Sequence, residues 1–176
     1  MLSLSKHEGS PEEMMRRFTM ALSGMIAFSF AHSAFAADAP PADWVEVAAG
    51  PMFTVKAPPG TTFERIRTGD AFAGAFHGPG FDLAVEFGYH RDGMKLPANA
   101  KNAADTKFVF DEKPGAITKA ATADTAHPYF VGLYVPNVEN DAFGPLSLLV
   151  TGTVTKADDQ ATVERVFQTV KFGYKN

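Results

Sequence analysis

The stretch from Asp70 to His90, DAFAGAFHGPGFDLAVEFGYH, places two histidines, His77 and His90, among three carboxylates, Asp70, Asp82 and Glu86. Imidazole and carboxylate are the groups of general acid–base pairs and of zinc-type sites, so their spacing must decide between a site and a wet surface. A strand advances about 3.3 Å per residue, which sets Asp82, Glu86 and His90 about 13 Å apart in succession. The ligands of one ion sit about 2.0–2.3 Å from it, so their donor atoms lie within about 4 Å of one another. His77 and Asp82, facing each other across a hairpin, meet that limit, but two ligands do not close a site. The stretch therefore reads as a β-hairpin with a solvated face, and no metal is expected. His127, ahead of Pro128, is the third histidine beyond residue 36. His77, Asp82 and His127 are the catalytic set for an enzyme whose site is assembled from distant residues.

Other chemistries find less. The chain has no cysteine, and Ser147, the one serine beyond residue 36, sits in a strand pattern without the glycines of a nucleophile elbow. Asn137, Glu139 and Asp141 alternate like the start of a calcium loop. Ala142 then stands where such a loop needs glycine and Leu148 where it needs a bidentate glutamate, so a hydrophilic strand connector is expected. Gly78-Pro79-Gly80 belongs to no phosphate-binding pattern, and no cofactor is expected.

The elements that must carry these residues read as α+β: an antiparallel β-sheet covered on one face by a C-terminal helix. WVEVAAGPMFTVKAPPG predicts two short strands around a Gly50-Pro51 turn, the second stopped by Pro58-Pro59-Gly60, with Trp44 as a packing anchor. In the hairpin, Phe81, Leu83, Val85, Phe87 and Tyr89 share one face, and Asp82, Ala84, Glu86, Gly88 and His90 the other. Opposed residues share a face, so a turn around Gly78-Pro79-Gly80 sets Phe76 against Leu83 and His77 against Asp82. Gly74 inside a strand predicts a close approach or a bulge. Arg91–Thr106 reads as a long loop. KFVFDEKPGAITKAAT reads as a second hairpin turning at Lys113-Pro114-Gly115. HPYFVGLYV, apolar on both faces, reads as a central strand beside PLSLLVTGTV. In TKADDQATVERVFQTV, Val163, Val166, Phe167 and Val170 fall at helical spacing, with Thr155 and Asp158 as a capping pair, and KFGY closes as a short strand.

The N-terminus carries a processing signal. Arg16-Arg17, the apolar run Phe18–Phe30 and Ala34-Phe35-Ala36 have the order of a secretory signal cleaved after Ala36. Residues 1–13 have no place in such a signal, so translation is expected to start at Met14 or Met15. Residues 37–176 then form one domain, periplasmic or secreted, without a stable membrane anchor. The leader holds equal numbers of acidic and basic residues, so the net charge of −4 is unchanged by its removal. A mildly acidic surface with no basic stripe argues against nucleic-acid binding.

The succession of a tryptophan-led strand, FTVKAPPG, GDAFAGAFHGPGFDLAVEFGYHRDGM, the pair YFVGLYV and LSLLVTGTV, and TVERVFQTVKF resembles a set of uncharacterised exported bacterial α+β proteins. They share an aspartate-led strand, a turn and an alternating FDYG-type strand, from which Val85-Glu86-Phe87-Gly88-Tyr89 departs in detail. The strand-rich body with a late helix and a final strand also resembles the PsbP-like fold of extrinsic photosystem subunits. That resemblance implies a binding or assembly accessory. The expected function is a non-enzymatic binding or accessory protein of the cell envelope. Its partner would be an envelope protein or small ligand met through the Arg91–Thr106 loop. The alternative is a small hydrolase or isomerase using His77, Asp82 and His127.

Overall fold

The computed structural model describes residues 39–68, 71–89 and 93–173. The leader with its expected cleavage after Ala36 lies outside the described residues, as do Asp70, His90 and Arg91. The described residues all fall in one compact unit.

The chain opens with a hairpin of β1 (Val45–Ala49) and β2 (Phe53–Ala57). Phe53, Val55 and Ala57 are buried while Lys56 is exposed, the alternation expected of a strand with one wet face. A meander of β3 (Thr62–Thr68), β4 (Ala71–Gly78) and β5 (Phe81–Gly88) follows, then β6 (Lys101–Phe110), β7 (Lys113–Ala121), β8 (Tyr129–Asp141) and β9 (Gly144–Val154). The helix α1 (Ala157–Gln168) leads into the two-residue strand β10 (Lys171–Phe172).

The strands form two antiparallel sheets where the sequence predicts one. β1, β2 and β10 make a small sheet, and the seven others run in the order β3-β4-β5-β9-β8-β7-β6. The core lies between the large sheet and a lid made of α1 and the small sheet. Val163, Val166 and Phe167 of α1 are buried, as are Leu83, Val85, Leu133 and Val150 of the large sheet. Phe53 of β2 meets Phe76 of β4 edge to face at 6.0 Å between ring centroids, joining the two sheets. Trp44 packs half-buried against this core. The α+β class and the helix-covered antiparallel sheet hold.

The hairpin at the centre of the sequence argument has the expected register. Phe76 pairs with Leu83 and His77 with Asp82; Phe76 and Leu83 are buried, His77 and Glu86 exposed. Gly80 takes φ +83° in the turn, a conformation that suits glycine. Gly74 is a close approach rather than a bulge, since a Cβ there would stand 2.3 Å from the Phe63 ring. β8 and β9 are neighbours at the middle of the sheet.

The structure departs from the sequence reading at five further places. TFERIRT, unassigned in the sequence, is the edge strand β3. Lys101–Thr106, expected within a loop, opens β6; those residues are solvent-facing almost throughout, so no burial pattern marks them. The second hairpin turns at Asp111-Glu112, both with positive φ, and Pro114-Gly115 lie inside β7. α1 starts after Lys156 in extended conformation with no side-chain cap, so Thr155 and Asp158 do not form the capping pair. The connector Asn137–Asp141 is strand too, the far end of β8. A register shift marked by Asn137 at φ +52° separates it from the rest of that strand.

The outer face of β8 is covered as well, which explains why that strand is apolar on both sides. Phe130 and Gly132 are buried there. Met94, in the irregular segment 93–100, lies so close that a Cβ on Gly132 would come 2.4 Å from its sulfur. What remains of the expected loop is therefore in part a strap across the sheet.

Candidate functional site

His77 points outward at the end of β4, where the tight turn brings Asp82 opposite. Its Nδ1 lies 2.7 Å from Asp82 Oδ1, and its Nε2 lies 3.6 Å from Glu64 Oε2 of β3. Glu64 sits diagonally from His77, because Thr62 is the residue directly opposite. Both ring nitrogens thus face carboxylates on opposite sides of the ring. Asp82 holds Nδ1 within hydrogen-bond distance, Glu64 stands too far from Nε2 to bond it, and carboxylates at the two different nitrogens cannot share one ion. The two carboxylates are largely solvated and the imidazole about half exposed, so the cluster is a polar network on the surface.

His127 belongs to a different construction. In the β7–β8 connection Thr122 Oγ1 donates to the His127 carbonyl and accepts from the Asp124 amide. Asp124 Oδ1 accepts from the Ala126 amide, and its Oδ2 lies 3.4 Å from His127 Nδ1. These contacts, led by the Ala126 amide, hold the Asp124 carboxyl below the usual aspartate value. Across the sheet His77, Asp82, Thr153 and Phe130 stand in one row, so Phe130 is three strands from His77, about 14 Å. The structure brings His77 and Asp82 together, adds Glu64, and leaves His127 with its own loop. Ser147 is buried within β9 as a strand residue. Among the described residues no three histidine or acidic side chains form a group that could hold a metal ion.

A groove of 350 Å³ lies elsewhere, on the outer face of the small sheet. Its walls carry four charged side chains, Glu46 of β1, Lys56 of β2, Lys171 of β10 and Asp111 of the β6–β7 turn. Glu46 faces Lys56 and Thr54 faces Lys171 in the register, so the strand residues share one face. Thr169, at the C-terminal end of α1, stands where a ladder residue opposite Lys56 would be. Its hydroxyl accepts from the Lys56 amide at 2.8 Å and lies 2.7 Å from the Val166 carbonyl, stitching the helix end to β2. On the far edge of β10 the Phe172 amide points away from β2 and donates to Asp111 Oδ2 at 2.9 Å. The positive φ of Asp111 aims that carboxylate back at β10.

The groove is of ligand size, near the lower end of the range of about 300–1,000 Å³ for small-molecule sites. Among the described residues neither lysine and neither of the two carboxylates is in an ion pair. Sequence reasoning missed it. The alternation of β1 and β2 puts Glu46 and Lys56 on a wet face, but Asp111 and Lys171 arrive from distant elements that only the tertiary fold brings there. No protein-family model, curated protein or solved structure matches the chain.

Proposed function

We propose that this is an exported, non-enzymatic binding or accessory module of the cell envelope, PsbP-like in architecture, which holds a small ligand in the groove of its small sheet. The observation that carries the reading is the groove itself: ligand-sized, built from four elements, and lined by charges not spent on one another. The set His77, Asp82 and His127 supports the enzymatic alternative less, since its members are held in two separate surface networks. Export is supported by the charge, apolar run and small-residue order of residues 16–36. Among the described residues no helix is long and apolar enough to cross a membrane.

The test is native mass spectrometry of the exported protein after exposure to small molecules from its own envelope. A retained mass is expected, and Thr54→Trp, which fills the groove, should abolish it without lowering the melting temperature. The same spectra should show a chain beginning at Ala37, and a product still carrying Met25 would refute the export reading. A hydrolase or isomerase activity removed by alanine at His77, Asp82 and His127 together would replace the binding reading with the enzymatic one.

A further inference from the structure

The charges in the groove are ordered. Crossing the small sheet from β1, the signs run negative at Glu46, positive at Lys56 and Lys171, and negative again at Asp111 of the adjoining turn. Lys56 and Lys171 are diagonal neighbours on one face, about 7–8 Å apart at the backbone, so their flexible ammonium groups can converge on one small anionic group. Asp111 commits one oxygen to the Phe172 amide and keeps the other for a ligand. The C-terminal end of α1, at Gln168 and Thr169, adds the negative end of a helix dipole.

Charge balance narrows the ligand. A second negative group on a polyanion would face Glu46, Asp111 and the helix end, and a polyamine would face the two lysines. A molecule with one carboxylate and one ammonium a few ångströms apart meets a complementary group at each end. Pro40 gives the groove an apolar edge, while Val55 and Val170 turn their side chains into the core, and its volume suits a metabolite rather than a peptide. Resting on the binding reading above, we propose that the groove takes a free α-amino acid with an aliphatic side chain. Its carboxylate lies between Lys56 and Lys171 and its ammonium against Asp111.

The experiment is calorimetric titration of the exported protein with three probes sharing one side chain: L-leucine, 3-methylbutylamine, which lacks the carboxylate, and 4-methylpentanoate, which lacks the ammonium. Leucine should bind, and each truncated probe should bind at least about tenfold more weakly, as loss of one charge-assisted contact requires. Lys171→Gln should weaken leucine about tenfold and leave 3-methylbutylamine unchanged. Asp111→Asn, which tolerates the same positive φ, should weaken leucine and leave 4-methylpentanoate unchanged. Lys56→Gln repeats the first arm should Lys171→Gln unfold. Equal affinity for leucine and 4-methylpentanoate would mean an anion site and overturn the proposal. So would no leucine binding at millimolar concentration. If leucine fails while Thr54→Trp still strips an envelope-derived ligand, the amino-acid assignment falls and the binding reading stands. If both fail, both fall.

Discussion

At the tip of the β8–β9 hairpin one carboxylate, Asp141, accepts from three donors: the Tyr89 hydroxyl and the amides of Phe143 and Gly144. These bonds, the Tyr89 hydroxyl first, hold its carboxyl below the usual aspartate value. A depressed carboxyl stabilises the fold at pH above its unfolded value, and that stabilisation is lost as pH falls through the folded one. Asp141→Asn should therefore lower the melting temperature at neutral pH, with the gap to the parent closing below the ordinary aspartate range. A gap that is constant with pH would assign the effect to shape instead. Asp124, depressed for similar reasons, should follow the same course. At this scale the sequence was readable only where a period and a turn act together. His77 and Asp82 could be paired because Gly78-Pro79-Gly80 fixes their register. Glu64 could not be added, since its strand went unrecognised.

Strands show where that legibility stops. β5 buries one full face and β4, β8 and β9 most of one, so alternation or a continuous apolar run announces them. β3 is an edge strand in which Arg65 shares the inward parity with Phe63 and lies over the Phe72 ring at 5.2 Å. A cation on the inward side erases the pattern while protecting the edge. β6 is hidden for the opposite reason, since its first half has no buried face at all. The β6–β7 turn misled because Pro114-Gly115 is the stronger turn signal, whereas Asp111 and Glu112 adopt φ +47° and +68°. Aspartate tolerates that conformation and glutamate does so poorly. Glu112→Gly should thus stabilise the protein by about 0.5–1 kcal/mol in denaturant unfolding. On β4 and β5 the two faces should respond differently. Phe76→Ala should cost about 3–5 kcal/mol, and Ala84→Ser, on the solvated face, under about 0.5. Similar costs for both would mean that the faces are assigned wrongly.

At the scale of the whole molecule the described sheets are built almost entirely from neighbours in sequence. β3-β4-β5 is one run of hairpins and β6-β7-β8-β9 another; the exceptions are the β5–β9 pairing and the short β2–β10 pairing. The sequence marks Phe81–Gly88 as a hairpin arm and PLSLLVTGTV as the neighbour of the central strand, but no local signal says that the two are partners. That seam joins Val85 to Val150, residues separated by about 65 positions, so the entropy of closing a long loop is concentrated in one event. The seam thereby sets a kinetic order. Hairpins within each run can form on their own, while the core facing α1 is completed only when the two runs meet. Refolding should be limited by that encounter, with the seam already formed at the barrier. Val150→Ala should slow refolding in proportion to the stability it removes, whereas Ile117→Ala, deep in the second run, should chiefly speed unfolding. Stopped-flow measurements on the two variants read the difference directly, and the reverse pattern would place the barrier inside a hairpin.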